Sequence, residues 1–272
     1  MDTLDEGVFF LSQNYAKDFS FQELMVAAAS RELRDHEVVF VGIGIPQLGA
    51  LLAQRTHAPN LTLIYESGVV GTHPERLPLS IGDPTLVSGT YGIFTFYETF
   101  SMLLQRGLID VGFVGGAQVD KFGNINSTVI GNYEKPKVRL PGSGGGCEIA
   151  GLSKRIVIVT PHEKRRMVEK VDFITSPGFL SGAISRAQAG LTGGPSAVIT
   201  TMGVLRFEEA SKEMYLHSYH PGLSVDQVKQ NTGWDLKISP KVTETEPPTT
   251  QEVEILRKDL DPKGIFLKKA VT

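Results

Sequence analysis

The chain has 272 residues, 41% of them hydrophobic, and a formal net charge of −3, so it can bury a sizeable core and does not suit general nucleic-acid binding. One cysteine, Cys147, excludes an internal disulfide and fits a reducing, cytoplasmic setting. The stretch from Met1 to Phe21 carries acids rather than the basic start and apolar run of a secretion signal, and no run of 18 apolar residues exists to span a membrane.

Ser20 and Glu23 make a capping-box pattern that opens a helix. Phe21, Leu24, Met25 and Ala28 then recur at helical spacing and give it an apolar face. Val38 to Ile43 is a β-branched run of the kind buried in a parallel sheet. GIGIP (42–46) turns the chain, and Pro46 suits the first turn of a helix through Arg55. Leu61 to Tyr65 reads as the next strand and ends at Glu66. Phe96, Phe100, Leu103 and Leu104 predict a second amphipathic helix, closed by Gly107. Ile109 to Val114 is a strand that runs into Gly115-Gly116, Lys137 to Leu140 is another, and PGSGGGCEIA (141–150) is a glycine-rich turn entering a short helix. Ile156 to Val159 is a further apolar run.

Strands alternating with helices over the first 160 residues predict an α/β fold with an open, largely parallel sheet and flanking helices. The C-terminal part changes character. AVITTMGVLRFEE (197–209) reads as a β-hairpin turning at Met202-Gly203, and EMYLHSY (213–219) as an added strand. Ser224 with Gln227 opens a helix closed by Gly233, TETEPPTT (243–250) is a linker, and Thr249 with Glu252 starts a last helix ended by Pro262. No internal repeat divides the chain.

Several stretches could carry chemistry. GIGIPQ resembles the opening of a dinucleotide fingerprint, but Gln47 stands where the third glycine belongs, so Gly42 and Gly44 read as a tight strand-to-helix turn. GSGGG (142–146) leaves backbone amides bare; it is either a nest for an anion or developing oxyanion, or a flexible surface loop. Glu66 ends a strand of the expected parallel sheet, where ligands of such folds bind. An acid there serves as a general base, metal ligand or covalent nucleophile, or simply faces solvent. No second ligand stands at metal spacing, and HEKRR (162–166) lacks the second histidine of a zinc helix. Its Lys164, Arg165 and Arg166 read as a solvated basic face, with phosphate binding as the alternative. Cys147, at a helix start, is either an activated thiol or a small buried hydrophobe.

Taken in order, YESGVVG, GGAQVDKFGNINSTVIGNYEKPKVRLPGSGGG and TGWDL resemble the β subunits of class I coenzyme A transferases, of the glutaconate and 3-oxoadipate branch. The likeness runs from about Phe21 to Lys268 as one domain and leaves residues 1–20 as an extension. It implies the NagB/RpiA-like α/β fold of these enzymes and no permanently bound cofactor, coenzyme A being a co-substrate. It also implies a separate α subunit in an α2β2 or αβ assembly, with the active site at the interface. Glu66 matches the glutamate that, in such enzymes, attacks an acyl-CoA and ends as a glutamyl-CoA thioester. Ser67 replaces the asparagine of 3-ketoacid members and points to a dicarboxylic acid as substrate. A carboxylate is already ionised at neutral pH and needs no partner base, which accounts for the lack of a triad. Gly68 is expected to leave room for the pantetheine sulfur. Gly144, Gly145 and Gly146 are the candidate oxyanion donors, Gln118 and Asn126 their candidate support, and Arg139, near Lys135 and Lys137, a candidate contact for CoA. The alternatives are an acyl-CoA hydrolase using Cys147 or a Glu66-held water, and a non-catalytic anion sensor.

Overall fold

The computed structural model describes residues 14–267. The capping box forms: the Ser20 amide donates to Glu23 Oε2 at 2.7 Å and the Glu23 amide to Ser20 Oγ at 3.2 Å, opening α1 (Phe21–Ser30). Strand β1 (Val38–Val41) leads into α2 (Ile45–Gln54), with Gly44 at φ +101° before it and Pro46 in its first turn. Strands β2 (Thr62–Ile64), β3 (Val69–Val70), β4 (Gly92–Ile93) and β5 (Val111–Val114) follow. Next come the hairpin of β6 (Gln118–Asp120) and β7 (Ile125–Asn126) and the ribbon of β8 (Val129–Gly131) and β9 (Pro136–Arg139). Helix α3 (Gly146–Leu152) precedes β10 (Arg155–Thr160), β11 (Met167–Val168) and the single turn α4 (Ser185–Gln188). The chain continues through β12 (Pro195–Thr200), β13 (Gly203–Phe207), β14 (Met214–Tyr219), α5 (Val225–Gln230), β15 (Lys237–Glu244) and α6 (Thr250–Glu254).

Ten strands make one sheet, ordered β15-β14-β13-β12-β10-β5-β1-β2-β3-β4. Its centre, from β12 to β2, is parallel throughout. Those strands are apolar on both sides because both faces are covered. Val39, Val41, Val111, Phe113, Val157 and Val159 pack with α1 and α2, while Phe40, Ile156 and Ile158 share the opposite core with Ile149 and Ala150 of α3. The fold is the predicted mixed α/β architecture, and the predicted hairpin is the β12–β13 pair, with Val198 opposite Leu205.

Three local expectations need correction. TETEPPTT is not a linker at its start: Thr243 and Glu244 belong to β15, a strand pairing parallel with β14 at the sheet edge. KISPKVTE gives no such signal because an edge strand has one unpaired side, so it tolerates polar residues and Pro240. Gly233 does not close α5, which ends at Gln230 with Asn231 as its cap; the Gly233 amide donates instead to Met167 O at 2.7 Å. The helix read from Phe96 to Leu104 winds as a π turn over Glu98–Leu104, with the Gln105 amide reaching Phe100 O at 2.9 Å. Leu104 is buried, but Phe96 stays 62% exposed and stacks on Phe100 with centroids 4.4 Å apart. Of the first twenty residues, 1–13 lie outside the described residues, as does Lys268. The segment just after them clasps the C-terminal part, with Ala16 N–H donating to Pro248 O at 2.9 Å and Thr250 N–H to Asn14 O at 2.8 Å.

A buried polar cluster closes the end of β12. His162 Nδ1 lies 3.0 Å from Thr200 Oγ1 and its Nε2 3.0 Å from Thr232 Oγ1, while His220 Nε2 lies 2.8 Å from Thr200 O. Burial lowers both rings to about 4, so both are neutral in the folded protein at pH 7. In the unfolded chain they titrate near the ordinary histidine value, so between these limits the unfolded chain holds protons that the folded one does not. Stability therefore falls as pH drops through that window, by up to about 3 kcal/mol per ring. Urea denaturation is expected to show a steady loss of midpoint from pH 7 to pH 5, before most carboxylates titrate. An unchanged midpoint over that range would contradict the neutral pair.

Candidate active site

Glu66 lies two residues beyond the end of β2, on the carboxyl side of the parallel sheet. The turn that carries it is narrow: Tyr65 N–H donates to Val69 O at 3.1 Å and Gly68 N–H to Tyr65 O at 2.9 Å. Gly68 has φ +93°, and a Cβ there would fall 1.8 Å from Phe94 O. The glycine is therefore required by the backbone just after β4, where Phe94 O occupies the side that a Cβ would take.

The glycine-rich stretch comes to Glu66 from the other side. Gly145 N–H donates to Glu66 Oε1 at 3.0 Å. A Cβ on Gly144 would lie 3.5 Å from Glu66 Oε1, and one on Gly145 would lie 2.9 Å from that oxygen and 2.4 Å from Phe100 Cζ. The approach of amide to carboxylate thus depends on Gly145 having no side chain. The three amides differ in what they have left to give. That of Gly146 is used by Ser143 O at 2.8 Å, that of Gly145 holds Glu66, and that of Gly144 has no hydrogen-bond partner among the described residues.

The motif residues upstream form the support for this loop. Gln118 and Asn126 are buried and face each other across β6 and β7, Asn126 Nδ2 donating to Gln118 Oε1 at 2.6 Å and to Val129 O at 2.6 Å. Gln118 Nε2 donates to Asp172 Oδ2 at 3.2 Å. Ser127 then grips the start of the glycine run, its Oγ donating to Gly142 O at 2.7 Å while its own carbonyl accepts from Gly142 N at 2.8 Å. Neither Gln118 nor Asn126 lines the cleft at Glu66. Arg139 also stands outside that lining; it is exposed on β9, over the Tyr133 ring at 5.1 Å.

The cleft itself measures about 480 Å³ and is open to the surface. Its lining gathers the carboxyl ends of the central strands: Gly42 after β1, Glu66 after β2, Gly115 and Gly116 after β5, and Thr160 with Pro161 at β10. Gly142, Ser143 and Gly146 close it from the loop. This is where an open α/β sheet offers a crevice, because loops there diverge to opposite faces. The GIGIP turn is the tight turn expected, Gly42 N–H donating to Phe113 O at 2.9 Å, and it forms one wall. Sequence alone does not mark Phe100, Ser127 or Ser176 as site residues; Phe100 reads as core face, and Arg166 as solvated surface with phosphate binding as the alternative. Cys147 stands outside the lining with its residue surface exposed, and partial desolvation of the thiol together with the Glu148 carboxylate raises it rather than lowering it. The helix start at Gly146 is too short and too close to Glu148 to activate it. Among the described residues no cluster of ligating side chains could hold a metal ion, and no helix is long and apolar enough to cross a membrane.

Comparison with known proteins agrees with this fold. The chain is 49% identical over 240 residues to the B-type subunit of 3-oxoadipate CoA-transferase of Pseudomonas knackmussii, covering 88% of this chain and 92% of that one. It is 38% identical over 258 residues to the B-type subunit of glutaconate CoA-transferase of Acidaminococcus fermentans, covering 92% and 96%. The crystal structure of glutaconate coenzyme A-transferase from that organism superposes with a TM-score of 0.87 at 36% identity, over 93% of this chain and 99% of that one. The family described as Coenzyme A transferase matches residues 22–231, and this chain belongs to it.

Proposed function

We propose that this chain is the β-type subunit of a two-chain CoA-transferase, working with a separate α subunit. It moves CoA from an acyl-CoA to a dicarboxylic acid of the glutaconate or 3-oxoadipate type through a thioester on Glu66. The observation that carries this reading is the Glu66 carboxylate in the cleft, 3.0 Å from the Gly145 amide. Glu66 attacks the thioester carbonyl and the CoA thiolate leaves, giving a mixed anhydride. The thiolate then attacks the glutamyl carbonyl, releasing the first acid as a carboxylate and leaving glutamyl-CoA. The second acid attacks that thioester through its own carboxylate, expels CoA and forms a new anhydride. CoA attacks the new acyl carbon and frees Glu66. Thioester is exchanged for thioester at every pass, so the sequence is close to balanced and needs no ATP.

Each attack builds negative charge on a carbonyl oxygen beside the glycine loop. Backbone donors aimed at that oxygen are effective because they are already oriented. Gly144, whose amide has no partner among the described residues, and Gly145, released as Glu66 loses its charge, are the candidate donors. Lys135, Lys137 and Arg139 on and before β9 are the cations offered to the CoA phosphates. The partner subunit is supported by an apolar belt: Tyr91, Ile93, Phe96, Tyr97 and Met102 are exposed on one segment whose Phe94 and Phe100 reach Gly68 and Gly145. Such a patch beside a site marks an interaction surface. Incubating the assembled enzyme with acyl-CoA and then hydroxylamine is expected to inactivate it and to convert Glu66 to the hydroxamate. Modification of any other residue in place of Glu66 would overturn the mechanism.

A further inference from the structure

We infer that Arg166 is the specificity-determining residue for the acid, holding the carboxylate that does not react. The inference rests on the function proposed above and extends it. The cleft at Glu66 has two charged side chains in its lining, Glu66 and Arg166; the rest are glycines, aliphatic residues, prolines, serines and a threonine. A diacid brings two negative charges into this space. One is consumed at Glu66 in the anhydride. The other stays ionised against an apolar wall of Ile43, Ile45, Val114 and Val159, where an unpaired carboxylate is costly. A guanidinium is the group that offsets this, with paired donors matching a carboxylate.

Arg166 is held in position at the cleft. Its backbone is fixed on both sides, the amide donating to Glu163 O at 2.7 Å and the carbonyl accepting from Val119 N at 2.7 Å. Its side chain is part-buried, with Nε enclosed 3.5 Å from Glu163 Oε2 in an ion pair that helps hold the Glu163 carboxyl low. Adjacent Arg165 shows the contrast, being 78% exposed and bonded to Glu163 at 2.5 Å. A part-buried guanidinium in the lining of a cleft that offers no other cationic side chain is the arrangement a bound anion completes. The CoA phosphates are a less fitting occupant, because the acyl end of the thioester, not the nucleotide end, must reach Glu66.

The test uses the chain co-expressed with its α subunit, in unsubstituted, Arg166→Gln and Arg166→Lys forms. Transfer to glutarate is compared with transfer to butyrate, a monoacid of similar reach, and binding of both acids to the unreacted enzyme is measured by calorimetry. Arg166→Gln is expected to lower the ratio of kcat/KM for glutarate over butyrate by 10- to 100-fold, on the order of one or two good charge-assisted hydrogen bonds. The loss should lie in KM and in glutarate affinity, and Arg166→Lys should recover part of it. A ratio that stays the same, whether both rates fall together or neither changes, overturns the assignment, and so does a rise in KM for the acyl-CoA common to both acids. Hydroxylamine trapping on the unsubstituted enzyme judges Glu66 separately. If no Glu66 adduct forms, the thioester mechanism fails, while the calorimetric difference between the acids still decides Arg166.

Discussion

In the assembled enzyme, Glu66→Gln is expected to lower kcat by roughly 10⁴-fold or more, the scale of removing a covalent nucleophile. Glutamine is nearly isosteric and keeps an oxygen for the Gly145 amide, which is 3.0 Å from Glu66 Oε1. The cleft and the loop should therefore stay in place, and circular dichroism and assembly with the partner should match the parent. Glu66→Asp keeps the charge but withdraws it by about one methylene, and a loss of around 10²-fold is expected from misplacement alone. Initial rates of CoA transfer measure both. A Glu66→Gln enzyme within tenfold of the parent, and equally active as Glu66→Ala, would mean that the side chain does not react.

The second large effect is expected at Gly145. Alanine there would place a methyl group 2.4 Å from Phe100 Cζ and 2.9 Å from Glu66 Oε1. Phe100 cannot simply turn aside, since its ring packs against Phe96 at 4.4 Å and Phe40 at 5.4 Å. Either the loop withdraws or the carboxylate moves, and both separate the amide from the reacting oxygen. A fall in kcat of about 10²- to 10³-fold follows, comparable with losing an oxyanion donor. Phe100→Leu in the same chain should return part of the activity by opening the space that the methyl group needs, and the double-mutant cycle isolates that coupling. Native turnover in Gly145→Ala, or no rescue by Phe100→Leu, would remove Gly145 from the machinery.

The pH dependence of stability and the Arg166 ratio address different parts of the molecule. The buried His162 and His220 are in the scaffold and should affect denaturation, whereas Arg166 should affect the choice of acid. Their separation follows from placement: Thr200 collects both rings, while Arg166 stands in the Glu66 cleft.

The amino-acid sequence by itself determined the elements with strong local signals. The Ser20–Glu23 and Ser224–Gln227 boxes, the β-branched runs of the central strands and the turn at GIGIP are set by neighbours in the chain, so their patterns can be read without the fold. The position of Glu66 at a strand end and the bareness of the GSGGG backbone were legible for the same reason. Tertiary structure alone decided what depends on distant groups. Gly68 is required by Phe94, Gly145 by Phe100 and Glu66, and Gln118 and Asn126 spend their polar atoms on each other and on Asp172 and Val129. Strand β15 exists because β14 offers it an edge, and its own sequence carries no alternation. Arg165 and Arg166 are neighbours of the same type, yet one faces water and the other a cleft. Local spacing cannot distinguish them, because the difference is made by the Val119 amide of β6, 47 residues earlier in the chain, which fixes the backbone at Arg166.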